Sequence, residues 1–354
     1  MVANPKPEPR PVRVLVVDDS ATIRAVLARQ LAATPGVEVV GKAADGLEAI
    51  QRVKELRPDV VTLDIEMPRL DGLGALQRIM EECPTRVVMV SSLTRDGADA
   101  TLRALDLGAV DFFEKPSGAG TQVALEIANV VGEKVRAAAE ARIGRRSVSR
   151  RPALTTTSSG PAAIRRWKRG VVIIGSSTGG PPALREVLSQ LPSDLGLPVV
   201  VVQHMPPGFT RSMAERLDGM SPLHIVEAEE GSRLEAGTVL IAPGGSHLTF
   251  DSARVVHLNE DPPECGVRPS VNVTLEAAAK VFGGQVVTAI LTGMGVDGTR
   301  GAALVRAAGG PVITEDESTC VVYGMPRSVV EAGLSTVQRP LHGVAAAIVN
   351  ECLA

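Results

Sequence analysis

The 354-residue sequence predicts two α/β domains in tandem, each a mostly parallel sheet layered with helices. Three observations carry this. Short runs rich in valine and isoleucine alternate with stretches whose apolar residues recur every three or four positions. The alternation is made twice, as a chain of about two ordinary domain lengths allows. Between the two passes the composition changes to Ser, Thr, Pro and Arg, with no acidic residue from 144 to 170.

In the first pass the apolar runs are residues 14–17, 37–40, 60–63 and 87–90, with a short one near Val110. Helical spacing is clear at 22–33 and 47–56, and a long helical pattern at 123–141 closes the unit. Five strand–helix alternations imply a five-stranded parallel sheet over residues 12–125. Residues 126–169 read as the rest of the closing helix and a flexible linker. Arg145, Arg146, Arg150, Arg151, Arg165, Arg166, Lys168 and Arg169 make that segment basic, either as a solvated tether or as a contact for an acidic surface.

The second pass covers 170–352. Its apolar runs are 171–174, 199–202, 239–241, 286–291 and 312–314, and its helical patterns fall at 182–191, 212–217, 271–281, 298–308 and 342–352. A hairpin of 248–250 with 255–258, turning at Asp251-Ser252, adds a small antiparallel element to a doubly wound, mostly parallel sheet.

With 44% hydrophobic and 22% charged residues, a packed core is expected. A net charge of -3 supplies no global attraction for nucleic acid or an anionic membrane. One Trp, one Tyr and five Phe are too few for a base-stacking platform. Cys83, Cys265, Cys320 and Cys352 form no C-x-x-C pair, which fits a reducing cytoplasm rather than a disulfide or zinc framework. Residues 1–13 lack the apolar core of a signal peptide, and no run approaches the roughly 20 residues that cross a bilayer. A cytoplasmic protein, neither membrane-embedded nor bound to nucleic acid, is the expectation.

In a parallel sheet, functional groups collect at the carboxyl ends of the strands. Asp18 and Asp19 follow the first run and Asp64 follows the third, so three carboxylates would share one rim. Their mutual repulsion calls for a hard divalent cation, Mg²⁺, between them. Ser91 ends the fourth run and Lys115 follows the fifth, placing a hydroxyl and an ammonium beside the acids. Metal and lysine would neutralise charge as a phosphoryl group lands on a carboxylate, and the hydroxyl would bond its oxygen. Taken singly, Asp19 or Ser20 is explained as a helix cap and Lys115 as a surface charge.

Leu15-Val-Val-Asp-Asp-Ser20, Leu63-Asp-Ile-Glu-Met-Pro68, Asp71-Gly72 and Lys115-Pro116 together resemble the response-regulator receiver family, which is flavodoxin-like. The resemblance implies that Asp64 accepts the phosphoryl group, that Asp18, Asp19 and Asp64 hold Mg²⁺, and that Ser91, Phe112 and Lys115 form the receiver switch. It also implies a histidine kinase as phosphodonor and an output domain downstream.

In the second domain the run 171–174 leads into Gly175-Ser-Ser-Thr-Gly179, a G-x-S-x-G turn that lifts Ser177 to the sheet edge. Backbone N–H groups at the helix start can stabilise an oxyanion. A phosphate cradle without catalysis is the alternative, although the G-x-G-x-x-G fingerprint is missing. A serine needs a base. Of the five histidines, His204 stands at the end of the next strand, whereas His224, His247, His257 and His342 lie near a strand start, after a turn, in the hairpin and before the last helix. Asp297, after the turn that follows 286–291, is the acid to orient it, or else a helix cap.

Ile174-Gly-Ser-Ser-Thr-Gly-Gly180, Gln203-His-Met-Pro206, Ala242-Pro-Gly-Gly-Ser-His247, Arg268-Pro-Ser-Val271, Leu291-Thr-Gly-Met-Gly-Val-Asp-Gly298 and Tyr323-Gly-Met-Pro326 resemble the chemotaxis methylesterase (CheB) family over residues 170–352. Val296 stands where that family often carries a polar residue. The resemblance implies Ser177 as nucleophile, His204 as general base, Asp297 as its orienter, and an oxyanion hole at Thr178 and Met294. It implies a phosphorylation-activated esterase acting on glutamate γ-methyl esters of chemoreceptors, with deamidation of receptor glutamines as a second activity and no cofactor in the catalytic domain. The tandem order suggests that phosphorylation at Asp64 shifts an equilibrium in which the receiver covers the Ser177 rim. Two other classes stay open: a phosphorylation-controlled binding module, and a DNA-binding regulator, which would need a basic recognition helix.

Overall fold

The computed structural model describes residues 10–92, 94–115, 121–142 (121–129 as backbone only) and 167–354. The basic segment at 143–166, Pro116 and the N-terminal residues 1–9 lie outside the described residues. The chain divides into two compact units, Met1–Ala141 and Arg142–Ala354.

The first unit is a five-stranded parallel sheet in the order β2-β1-β3-β4-β5. Its strands are β1 (Val12–Val17), β2 (Val37–Ala43), β3 (Val60–Asp64), β4 (Arg86–Ser91) and β5 (Asp111–Glu114). The helices are α1 (Ala21–Ala33), α2 (Gly46–Leu56), α3 (Gly72–Glu82), α4 (Arg95–Leu107) and α5 (Thr121–Glu140). Strands covered on both faces read as unbroken apolar runs, and β3 is buried from end to end. Helix starts are fixed by side-chain caps that satisfy orphan N–H groups: Ser20 for α1, Asp45 for α2, Asp71 for α3 and Thr94 for α4. Glu48 of α2 reaches back to Ala44 N at 2.9 Å, completing a reciprocal cap.

The second unit holds a seven-stranded, wholly parallel sheet ordered β14-β13-β12-β6-β7-β9-β8. The strands are β6 (Val171–Ser176), β7 (Val199–Gln203), β8 (His224–Glu227), β9 (Thr238–Ile241), β12 (Val286–Ile290), β13 (Val312–Glu315) and β14 (Val337–Arg339). Helices α6 (Gly180–Leu188), α7 (Phe209–Asp218), α8 (Val271–Phe282), α9 (Thr299–Ala307), α10 (Met325–Glu331) and α11 (Leu341–Leu353) accompany it. The predicted hairpin is a separate two-stranded antiparallel sheet, β10 (His247–Phe250) with β11 (Val256–Asn259). Short β8, β14 and α10 escape sequence patterning because they are edge or connecting pieces with few apolar positions.

Ile173, Val200, Val202, Leu240, Leu275, Val286, Ile290 and Val305 form the centre of the core between sheet and helices. Each such burial is worth about 1.5–3 kcal/mol, and truncating one to alanine costs about 2–5 kcal/mol. The chain leaves β6 toward β7 on one side and later returns to β12 on the other. Oppositely running connections open a crevice at the carboxyl ends of β6 and β12. Lys168 and Arg169, the last charged residues of the basic segment, bond the Cys352, Ala354, Glu351 and Gly284 carbonyls of this unit.

Candidate active site

At the carboxyl edge of the first sheet, Asp18, Asp19 and Asp64 bring ligand oxygens within 4.8 Å of one another. Asp18 and Asp64 are fully buried, and Asp18 Oδ2 has no hydrogen-bond partner. Burial, then the Asp64 charge, push the Asp18 carboxyl up to about 6. Burial also raises Asp64, against a Lys115 Nζ that lies 2.7 Å from its Oδ2. Lys115 loses charge stabilisation to burial but gains more from the three acids, and its ammonium is held above the usual range. An orphaned buried oxygen among hard oxygen donors is a fit for a divalent cation.

Ser91 ends β4, next to β3, with its hydroxyl 2.7 Å from that of Thr101 on α4. Both hydroxyls reach the Gly97 carbonyl, at 3.2 and 2.7 Å. Phe112 is buried on β5 beneath Lys134, whose Nζ is 5.4 Å from the ring centroid and 2.8 Å from Asp111.

In the second unit Ser177 follows β6, His204 follows β7, and Asp297 lies in the loop after β12, so three adjacent central strands deliver them to one rim. His204 Nε2 is 2.8 Å from Asp297 Oδ2. His204 N donates to Ser176 O at 3.1 Å, which seats its backbone beside the serine turn. Ser177 Oγ makes no hydrogen bond among the described residues; such bonds often close only with substrate. Nε2 is engaged by Asp297, and Nδ1 is the other ring nitrogen.

Asp297 sits on the N-terminus of α8. Its Oδ1 accepts from Ser270 Oγ at 2.8 Å, Asn272 N at 3.0 Å and Gly298 N at 3.0 Å, and its Oδ2 from Val271 N at 2.7 Å. Burial pushes the carboxyl up, but the His204 contact and these amides outweigh it and hold it below the usual carboxylate range. Asn272 Oδ1 in turn accepts from Gly298 N and Gly301 N, tying α8 to the Asp297 loop.

The loop carrying Met294 is pinned to the serine turn. Ser177 N donates to Thr292 O at 3.0 Å, and Thr292 Oγ1 donates to Thr178 O at 3.0 Å. Thr292 N donates to the fully buried Glu315 at 2.8 Å. A Cβ at Gly293 would stand 2.8 Å from Ser177 Cβ, closer than carbon atoms pack, so only glycine admits this approach. Met294 N–H donates to nothing among the described residues and is free to meet an oxyanion.

The second unit thus holds a serine turn beside an imidazole bound to a buried acid, and the first an acid–lysine pocket at the end of a five-stranded sheet. The CheB methylesterase family profile matches residues 172–348 and the response regulator receiver profile matches residues 14–125. A protein-glutamate methylesterase/protein-glutamine glutaminase of Symbiobacterium thermophilum is 51% identical over 96% of both chains. The chain belongs to the CheB methylesterase family. The Thermotoga maritima protein of the same name is 45% identical over 95% of this chain and 97% of its own. The crystal structure of the Thermotoga maritima CheB methylesterase catalytic domain covers 51% of this chain and 98% of that one, at 44% identity and a TM-score of 0.51.

As a CheB-family chain, the protein has a parallel-sheet second unit where a DNA-binding regulator would carry a recognition helix. Among the other histidines, exposed His224 pairs with Asp218, exposed His257 bridges Glu230 and Asp251, and His342 lies in the first turn of α11. Buried His247 reaches the Pro262 carbonyl at 3.3 Å. Gln203, Ser270, Asn272 and Glu315 were not singled out by sequence reasoning. Ser270 ahead of a helical pattern was a cap signal, and Gln203 was the one polar residue closing an all-valine run. No described helix is long and apolar enough to cross a membrane.

Proposed function

We propose that this chain is a cytoplasmic, phosphorylation-activated serine hydrolase that removes methyl groups from glutamate γ-methyl esters of chemoreceptors and deamidates receptor glutamines. Ser177 Oγ attacks the ester carbonyl while His204 Nδ1 takes its proton, and Nε2–H donates to Asp297 throughout. Thr178 and Met294 N–H groups hold the oxyanion. Methanol leaves with the proton from His204. Water, deprotonated by the same nitrogen, then splits the acyl-enzyme to glutamate and free serine. With a glutamine substrate the leaving group is ammonia. The observation that carries this reading is the 2.8 Å His204–Asp297 contact at the rim that also receives Ser177.

In the receiver, Asp18, Asp19 and Asp64 would hold Mg²⁺, which when bound supplies positive charge beside the incoming phosphoryl oxygens. Asp64 accepts the phosphoryl group from a chemotaxis histidine kinase, Lys115 pairs with it, and Ser91 bonds one of its oxygens, with Phe112 following the switch. Methanol release from methylated receptor, with and without a small phosphodonor, is the test. Ser177→Ala should lower the rate by several orders of magnitude; near-normal release would exclude Ser177 as nucleophile.

A further inference from the structure

We propose that Gln203 is a positioning residue that aims the Thr178 N–H into the oxyanion hole and fixes the serine turn against His204. The inference rests on the roles given above to Ser177, His204 and Thr178.

Gln203 closes β7 and is 2% exposed. A buried carboxamide must find both acceptors and donors inside the protein. Gln203 Oε1 accepts from Ser176 Oγ at 2.7 Å. Its Nε2 donates to the Ser177 carbonyl at 3.0 Å and to the His204 carbonyl at 3.2 Å. One planar group therefore grips the residue before the nucleophile, the nucleophile's own carbonyl and the backbone of the base.

Ser177 C=O and Thr178 N–H belong to one peptide unit. That unit is planar and trans, so its carbonyl and its N–H point in opposite directions. Holding the carbonyl fixes where the N–H aims. The Ser177 carbonyl is held twice, by Gln203 Nε2 and by Gly180 N at 2.7 Å. Gly180 also makes room for the amide, because a Cβ there would collide with Gln203 Oε1. Fully satisfied and walled in, the carboxamide has one orientation available.

The full-length protein tests this with two variants. Gln203→Leu removes both donors at similar volume and should lower kcat about 100-fold, the scale of a small misplacement in a pre-organised site, with KM within about twofold. Gln203→Glu keeps the shape. Protonated, its O–H can still donate to a carbonyl; ionised, it has no donor and sets a negative charge against both. Its kcat should therefore fall as pH rises, a limb absent from the wild type and restored by acidification, while near-ultraviolet circular dichroism stays unchanged. A role in packing alone would not produce that limb.

A Gln203→Glu profile matching the wild type, or a Gln203→Leu loss confined to KM, overturns the proposal; if Gln203→Leu does not fold, the Gln203→Glu profile decides. Ser177→Ala, assayed alongside, separates the two levels. An active Ser177→Ala protein removes the underlying reading and this one with it. An inactive one beside Gln203 variants of wild-type kcat removes only the role of Gln203.

Discussion

His204 presents Nε2 to Asp297 at 2.8 Å, which leaves Nδ1 as the ring nitrogen not engaged by the acid. In the chymotrypsin arrangement the acid holds Nδ1 instead and Nε2 serves the serine. The proposed proton path would therefore run through the ring in the opposite sense, with the acid anchored on the amides of a helix N-terminus.

Asp297→Asn tests this orientation. An amide nitrogen turned toward the ring would stabilise the tautomer that carries its proton on Nδ1, leaving no base for Ser177. We expect kcat to drop by about four orders of magnitude with the fold retained, by methanol release and circular dichroism. A drop below about tenfold would remove Asp297 from the reaction.

The same carboxyl sets an acid limit on stability. Its folded-state value is depressed, so the unfolded chain binds more protons than the folded one in mild acid. The stabilisation is complete above the unfolded value near 4 and disappears as pH falls through the lower folded value. Urea unfolding should show the wild type losing more stability between pH 7 and pH 3 than Asp297→Asn. Equal losses would place the acid sensitivity elsewhere.

Asp64→Asn should abolish labelling by a small phosphodonor, and chelating divalent cations should do the same to the wild type. Binding of the cation can be followed separately by calorimetry, where Asp18→Asn should weaken it because the orphaned Oδ2 is lost as an anionic ligand. Undiminished labelling in excess chelator would rule out a metal among these carboxylates.

Ser91 Oγ accepts from Thr101 Oγ1 at 2.7 Å and donates to the Gly97 carbonyl at 3.2 Å. Thr101→Val removes the donor that holds the Ser91 oxygen, at about 1 kcal/mol of folding stability. Half-maximal phosphorylation should then need about fivefold more phosphodonor, the equivalent of the same energy in binding. An unchanged or lower requirement would mean that Thr101 does not position Ser91.

A protease site inserted within residues 143–166, cut after purification, should raise basal esterase activity and abolish its response to phosphodonor. Unchanged basal activity would show that the receiver does not restrain the hydrolase.

Much of this was readable in the sequence because parallel strands buried on both faces leave unbroken runs such as 171–174 and 199–202, and because reactive groups follow directly where such runs stop. Ser177, His204 and Asp64 were placed at strand ends in that way, and the structure has them there. What stayed hidden depends on pairing between distant residues. Nothing in the letters says that Ser270 and Asn272 close on Asp297, or that Gln203 turns toward the serine loop. Strands β8 and β14, at the sheet's two margins, carry too few apolar positions to register as periodic.

The three central strands β12, β6 and β7 each lead into one residue of the proposed triad, while β8 and β14 lead into none. Fraying at either margin can therefore proceed without disabling turnover. Separating any two of the inner strands dismantles the reacting constellation at once, so esterase activity should disappear in the same cooperative step in which the middle of this unit melts.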